Sequence, residues 1–190
     1  MTDLGQIKAT KKTGEEKFSV GNVNLGFQLL DFWQWISSDM LNNTTRGLLA
    51  EYMVATALGL ADGLRVEWDA YDLEFDGLKI EVKSSAYLQS WHQDKLTAIK
   101  FGTQKTFAWD KLTGKYETSR KHQADIYVFA LLAHQEQETV NPMNVEQWEF
   151  YVVPSEKLGE RKSISFKILN SMGERVTYRD LKVAVEKFRK

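Results

Sequence analysis

The spacing of apolar positions changes several times along the chain, and each change marks an expected element. From Gly26 to Met40, the residues Phe27, Leu30, Trp33, Ile36 and Met40 recur at helical spacing. A second helix is predicted in TTRGLLAEYMVATALG, capped by Thr44 or Thr45 and ended with help from Gly59. The period then drops to two. Leu64, Val66 and Trp68 alternate, as a strand would. YDLEF and LKIEVK alternate on either side of Asp76-Gly77, a strong local signal for a two-residue hairpin. LTAIKFGT, IYVFALL, WEFYVVP and SISFKIL supply further strands. IYVFALL is apolar throughout, which suits a central strand covered on both faces. SSAYLQSWHQDK and the polar stretch before Gln123 read as loops, and SEKLGE as a short helix. The last element, VTYRDLKVAVEKF, has the helical stripe Leu181, Val185 and Phe188, and Thr177 and Asp180 at capping-box spacing. Residues 1–20 are expected to form a flexible polar arm, and residues 21–190 a single domain.

The hairpin places chemistry in register. A two-residue turn at Asp76-Gly77 pairs Phe75 with Leu78, Glu74 with Lys79, Leu73 with Ile80 and Asp72 with Glu81. Tyr71, Leu73, Phe75, Leu78, Ile80 and Val82 then share an apolar face. Asp72, Glu74, Lys79, Glu81 and Lys83 share the other. Opposed Cβ atoms lie about 5 Å apart, so Asp72 and Glu81 repel one another. A shifted pKa, a bound cation or splaying into water relieves that repulsion. A hard divalent cation with oxygen ligands suits the pair. Lys83 points to the same side, where an ammonium can orient a water and stabilise charge building on a phosphate. The plain alternative is a solvated, charged sheet face.

Composition narrows the classes. The 190 residues carry a formal net charge of -1, which counts against a pure nucleic-acid-binding module. A metal-dependent enzyme is less exposed to this objection, because the cation supplies positive charge at the phosphate. The absence of cysteine excludes disulfides and thiolate metal sites. The polar N-terminus lacks the apolar segment of a signal peptide, so a cytoplasmic location is expected. Serine-hydrolase, P-loop and Rossmann signatures are missing, and His92, His122 and His134 form no metal-binding motif.

Glu51 stands in a helical stripe with Gly47, Leu48, Val54 and Ala55 as neighbours, an unusual place for a carboxylate. It either serves a cation or reaches solvent or Arg46 from the edge of the stripe. The helix with Glu51, then Asp72, then Glu81-Val82-Lys83 on an apolar strand, resembles the PD-(D/E)xK nuclease superfamily. AYLQSW and QADIYVFALL resemble uncharacterised bacterial members of it. The likeness covers residues 44–132 most clearly. Tyr71 stands where many members have proline, and Asp69 competes with Asp72.

The resemblance implies a restriction-endonuclease-like α/β fold, a mixed central sheet flanked by helices. It also implies Mg2+ (or Mn2+), with Asp72, Glu81, the Val82 carbonyl and Glu51 around the metal and Lys83 as the catalytic lysine. The implied function is phosphodiester hydrolysis, expected in DNA and as an endonuclease, in restriction, repair or defence. Gln89 and Gln123 are candidates for polar support or nucleic-acid contact. Trp91, Lys100 and Lys105 are further contact candidates, from a stretch where lysines and aromatics interleave. The aromatic-rich strands leave room for a homodimer, and the near-neutral charge for a partner subunit that supplies recognition. The rival reading is a catalytically silent nuclease-fold module that binds nucleic acid or protein.

Overall fold

The computed structural model describes residues 7–67, 69–110 and 114–189, with Asp110 as backbone only. Of the expected arm, residues 1–6 lie outside the described residues, as does Trp68. The chain divides into two compact units, residues 1–39 and 40–190. The boundary falls inside the stretch expected as one domain.

In the first unit, β1 (Lys17–Val20) and β2 (Val23–Gln28) form an antiparallel hairpin, followed by α1 (Leu29–Ser37). The expected helix from Gly26 is therefore shorter, because its first turn is strand. Gln28 and Asp31 close a capping box at the start of α1. Phe18 stacks on Phe27 across the hairpin, with ring centroids 4.7 Å apart.

The second unit opens with α2 (Asn43–Leu58). Its N-cap is Asn42, whose side chain accepts from the Thr45 N–H at 2.9 Å, rather than either threonine. Gly59 ends the helix at φ 75°, a left-handed conformation that costs glycine no Cβ clash. Residues 64–67 form no strand, which corrects the alternation read in LRVEW. Leu64 and Val66, on either side of the charged Arg65, are both exposed and bury too little to hold a strand.

Next come β3 (Leu73–Phe75), β4 (Leu78–Ala86), β5 (Lys100–Gly102), β6 (Trp109–Asp110), β7 (Lys115–Tyr116), β8 (Ile126–Leu132) and β9 (Trp148–Pro154). After them lie β10 (Ser163–Ser165), α3 (Phe166–Met172), β11 (Arg175–Val176) and α4 (Leu181–Glu186). The stretch SISFKIL is thus strand only at its start. The Ser165 hydroxyl faces the Ile168 N–H as an N-cap and turns the rest into helix. The closing helix is also shorter than expected, since Val176 belongs to β11 and residues 178–180 form a 3-10 turn.

The central sheet has the order β11-β9-β8-β4-β3. Only β4 and β8 pair in parallel, so the sheet is mixed. Strand β8 is buried along its whole length, as its unbroken apolar run requires. Helices α2 and α4 cover one face, through Val54, Leu58, Leu181 and Val185 on Ile80, Val82, Val128 and Phe150. The other face carries Phe129, Leu131 and Val153, packed on Phe101, Ile164 and Leu169. β5 and β10, paired antiparallel, lie on that side. This is a mixed α/β fold compatible with the restriction-endonuclease-like architecture.

Candidate active site

The β3–β4 hairpin keeps the expected register: Phe75 faces Leu78, Glu74 faces Lys79 and Leu73 faces Ile80. Asp76 and Gly77 both have positive φ, 49° and 82°, as a type I′ turn demands. The ladder then stops one residue short of Asp72. The Asp72 N–H donates to the Ile80 carbonyl at 3.0 Å, so Asp72 crowds onto the partner of Leu73. Beyond that irregularity the faces exchange. Tyr71 packs with the second core cluster, whereas Leu73 stays with the first. The apolar face expected from Tyr71 to Val82 therefore holds only from Leu73 onward, because an irregular pairing re-aims the residues that precede it.

The Asp72 carboxylate fills the gap this leaves. Its Oδ2 accepts from the Val82 N–H at 2.7 Å, a place that a strand carbonyl would otherwise take. Burial, then the charges of Glu81 and Glu51, push Asp72 up to about 7, against the pull of the Val82 N–H and Lys83. Glu81 and Lys83 form an ion pair within β4. Burial alone would lower Lys83, but the carboxylates of Glu81, Asp72 and Glu51 outweigh it and hold the ammonium above its ordinary value. Glu51 of α2 joins the group, and it is not an unpaired carboxylate. Arg65 binds it through two nitrogens, at 2.5 and 3.3 Å. The four expected residues thus lie within electrostatic reach of one another.

A titration prediction follows from Asp72. Unfolded, this group ionises near 3.8; in the fold it ionises near 7. Between those values the unfolded chain has lost a proton that the folded chain keeps. Stability contributed by this group therefore falls as pH rises through the window, and the fall is complete above about pH 7. Asp72→Asn should melt like the parent below pH 3.8 and at a higher temperature above pH 7, in EDTA. Parallel melting curves across that range would remove the assigned cause.

Two cavities flank the acids. The larger, about 420 Å³, is lined by Glu51, Asp69, Asp72 and Glu74 with Tyr52, Leu64 and Arg65. The smaller, about 200 Å³, is lined by Glu81, Lys83, Gln104, Thr106, Gln123 and Tyr127. Among the described residues, no three His, Cys, Asp or Glu side chains stand together as a ready metal cluster. A cation beside Asp72 and Glu81 would draw on their carboxylates together with backbone oxygen and water. That all-oxygen, partly hydrated set is the kind magnesium takes. The crowded carboxylates, one of them raised to about 7, fit a missing positive charge.

Other expected contacts are placed differently. Gln89 is buried, and its side chain bonds the Arg46 guanidinium (3.1 Å) and the Ala86 carbonyl (2.9 Å). It is support for the start of α2, with no face open to a ligand. Trp91 and Lys100 are exposed. Lys105 pairs with Glu160. Gln123 reaches the smaller cavity and donates to the Thr106 carbonyl at 2.8 Å. His92 sits on the surface beside Asp94, and His134 bonds Thr139. Sequence reading missed Arg65 and Tyr127. Tyr127 lies directly beside Glu81 in the parallel ladder, as the one hydroxyl in an otherwise hydrocarbon strand. Burial first, then Glu81 and Asp72, push its phenol upward.

A family model described as bacteriophage T4 endonuclease IV matches residues 32–168, a span that contains all of these site residues. No curated protein and no solved structure matches the chain.

Proposed function

The chain belongs to the bacteriophage T4 endonuclease IV family, and on that premise we propose that it is a divalent-metal-dependent nuclease that hydrolyses DNA phosphodiesters at Asp72, Glu81 and Lys83. We also assign its site to the PD-(D/E)xK type. The observation that carries the reading is the Asp72 carboxylate, held at the open end of the β3–β4 ladder beside the Glu81–Lys83 pair.

Asp72 and Glu81 would hold Mg2+ or Mn2+, with the Val82 carbonyl. A strand residue turns its N–H and C=O to the same edge. The Val82 N–H goes to Asp72, so its carbonyl faces the same side. Bound there, the cation would polarise the phosphate and ease deprotonation of the attacking water. Lys83 stabilises the negative charge that builds on the phosphate oxygens. Glu81 keeps the ammonium aimed until substrate arrives. Glu51 adds negative charge near Asp72 while Arg65 fixes its rotamer.

Glu51→Gln should lower the cleavage rate about tenfold with little change in melting temperature, because the amide keeps the helix packing and loses the charge. Unchanged cleavage would reduce Glu51 to a partner for Arg65. The direct test of the whole reading is incubation with labelled single- and double-stranded DNA and RNA, in magnesium, manganese or EDTA. Cleavage in metal that EDTA abolishes is expected; no cleavage of any strand, with binding retained, would instead favour the silent module.

A further inference from the structure

The two cavities beside the acids differ in charge. The larger presents four carboxyl groups, Glu51, Asp69, Asp72 and Glu74, against one guanidinium already bound to Glu51. A polyanion is repelled there. In the smaller one, the single carboxylate, Glu81, is neutralised by Lys83, and the other polar side chains are uncharged. Resting on the nuclease reading, we propose that the smaller cavity is a backbone-phosphate subsite, in which Lys83, Gln104 and Gln123 hold a phosphodiester of the bound strand.

The donor count fits. Gln123 Nε2 carries two N–H groups and spends one on the Thr106 carbonyl, which leaves one to give. Gln104 is exposed at the rim and brings two more. Tyr127 acts as a wall. His122 Nε2 lies 3.1 Å from the Gly159 carbonyl, which only accepts, so that nitrogen donates. With a neutral ring, His122 Nδ1 then accepts the Tyr127 hydroxyl proton at 3.1 Å, and the phenol has no proton left for a phosphate. The segment that supplies Gln104, Thr106 and Gln123 also carries the exposed cations Lys115 and Arg120, while its Lys105 and Lys121 are paired with Glu160 and Glu117.

The test is fluorescence anisotropy of a labelled oligonucleotide of about 12 nucleotides, in EDTA at low salt. Gln104→Glu should weaken binding about tenfold, the loss of one hydrogen bond to a charged group, and Gln104→Lys should tighten it. Gln137→Glu, the same charge change in the exposed loop after β8, should bind like the parent. Gln123→Glu should repeat the Gln104→Glu effect and serves as the second variant. If Gln104→Glu and Gln123→Glu both bind like Gln137→Glu, or if the parent does not bind the oligonucleotide, the subsite is wrong. The subsite and the nuclease reading fail separately. Parent cleavage with no effect of either glutamate overturns the subsite alone. Weakened binding in both glutamate variants, with no cleavage by the parent in any metal, overturns the nuclease alone.

Discussion

Lys83→Met is expected to reduce single-turnover cleavage by a factor on the order of 10² or more, which corresponds to about 3 kcal/mol of transition-state stabilisation. The side chain is 37% exposed, and its stem lies along β4, so methionine should keep the strand packed. The ammonium does two things in the fold: it neutralises Glu81 and it raises the local potential at the smaller cavity. Removing it leaves Glu81 without its counter-charge. Manganese binding should therefore survive or tighten, while the rate constant collapses. That separation of binding from rate is the signature of a group acting at the transition state. Equal cleavage by parent and variant at saturating metal would sink the role given to Lys83.

The second large effect concerns the cation. Asp72→Asn and Glu81→Gln should each weaken manganese binding about a hundredfold by calorimetric titration, and cleavage should fall with it. The scale is that of losing one carboxylate from a site whose ligands are few. The amide oxygen that Asp72→Asn introduces can still accept the Val82 N–H, so this substitution tests charge without dismantling the sheet. Glu81→Gln also leaves Lys83 without its partner, so its effect on binding combines the lost ligand with the freed ammonium. Asp69→Asn is the control. Asp69 lines the larger cavity. Loss of binding in Asp69→Asn but not in Asp72→Asn would move the site to Asp69.

The hairpin was legible because turn and period agree there. Asp76-Gly77 fixes a two-residue connection, and alternation does the rest as far as Leu73. The failure at Asp72 has a physical reason: a side chain that competes for a backbone N–H is invisible to a periodicity argument. IYVFALL was legible as a central strand because nothing but hydrocarbon and one phenol had to be buried. LRVEW was misread, since three alternating residues cannot distinguish strand from cavity wall; Leu64, Arg65 and Val66 line the larger cavity. Glu51 was found by its apolar neighbours, but its partner Arg65, fourteen residues on, carried no signal of pairing. Gln89 is a candidate only through the family resemblance, and the buried Arg46 that occupies it cannot be read from spacing.

The hydrogen bond from the Val82 N–H to Asp72 Oδ2 also makes the backbone a reporter on the carboxylate. An amide proton given to an ionised carboxylate resonates further downfield than one given to a neutral acid. The Val82 cross-peak in a nitrogen-15 correlation spectrum should therefore titrate with a midpoint near 7, the value of the carboxyl group it touches. A divalent cation that displaces the proton from Asp72 should move the same peak at constant pH. One amide of a buried strand thus reads out both the ionisation of Asp72 and the arrival of the metal, with no substrate present and no probe attached to any side chain of the site.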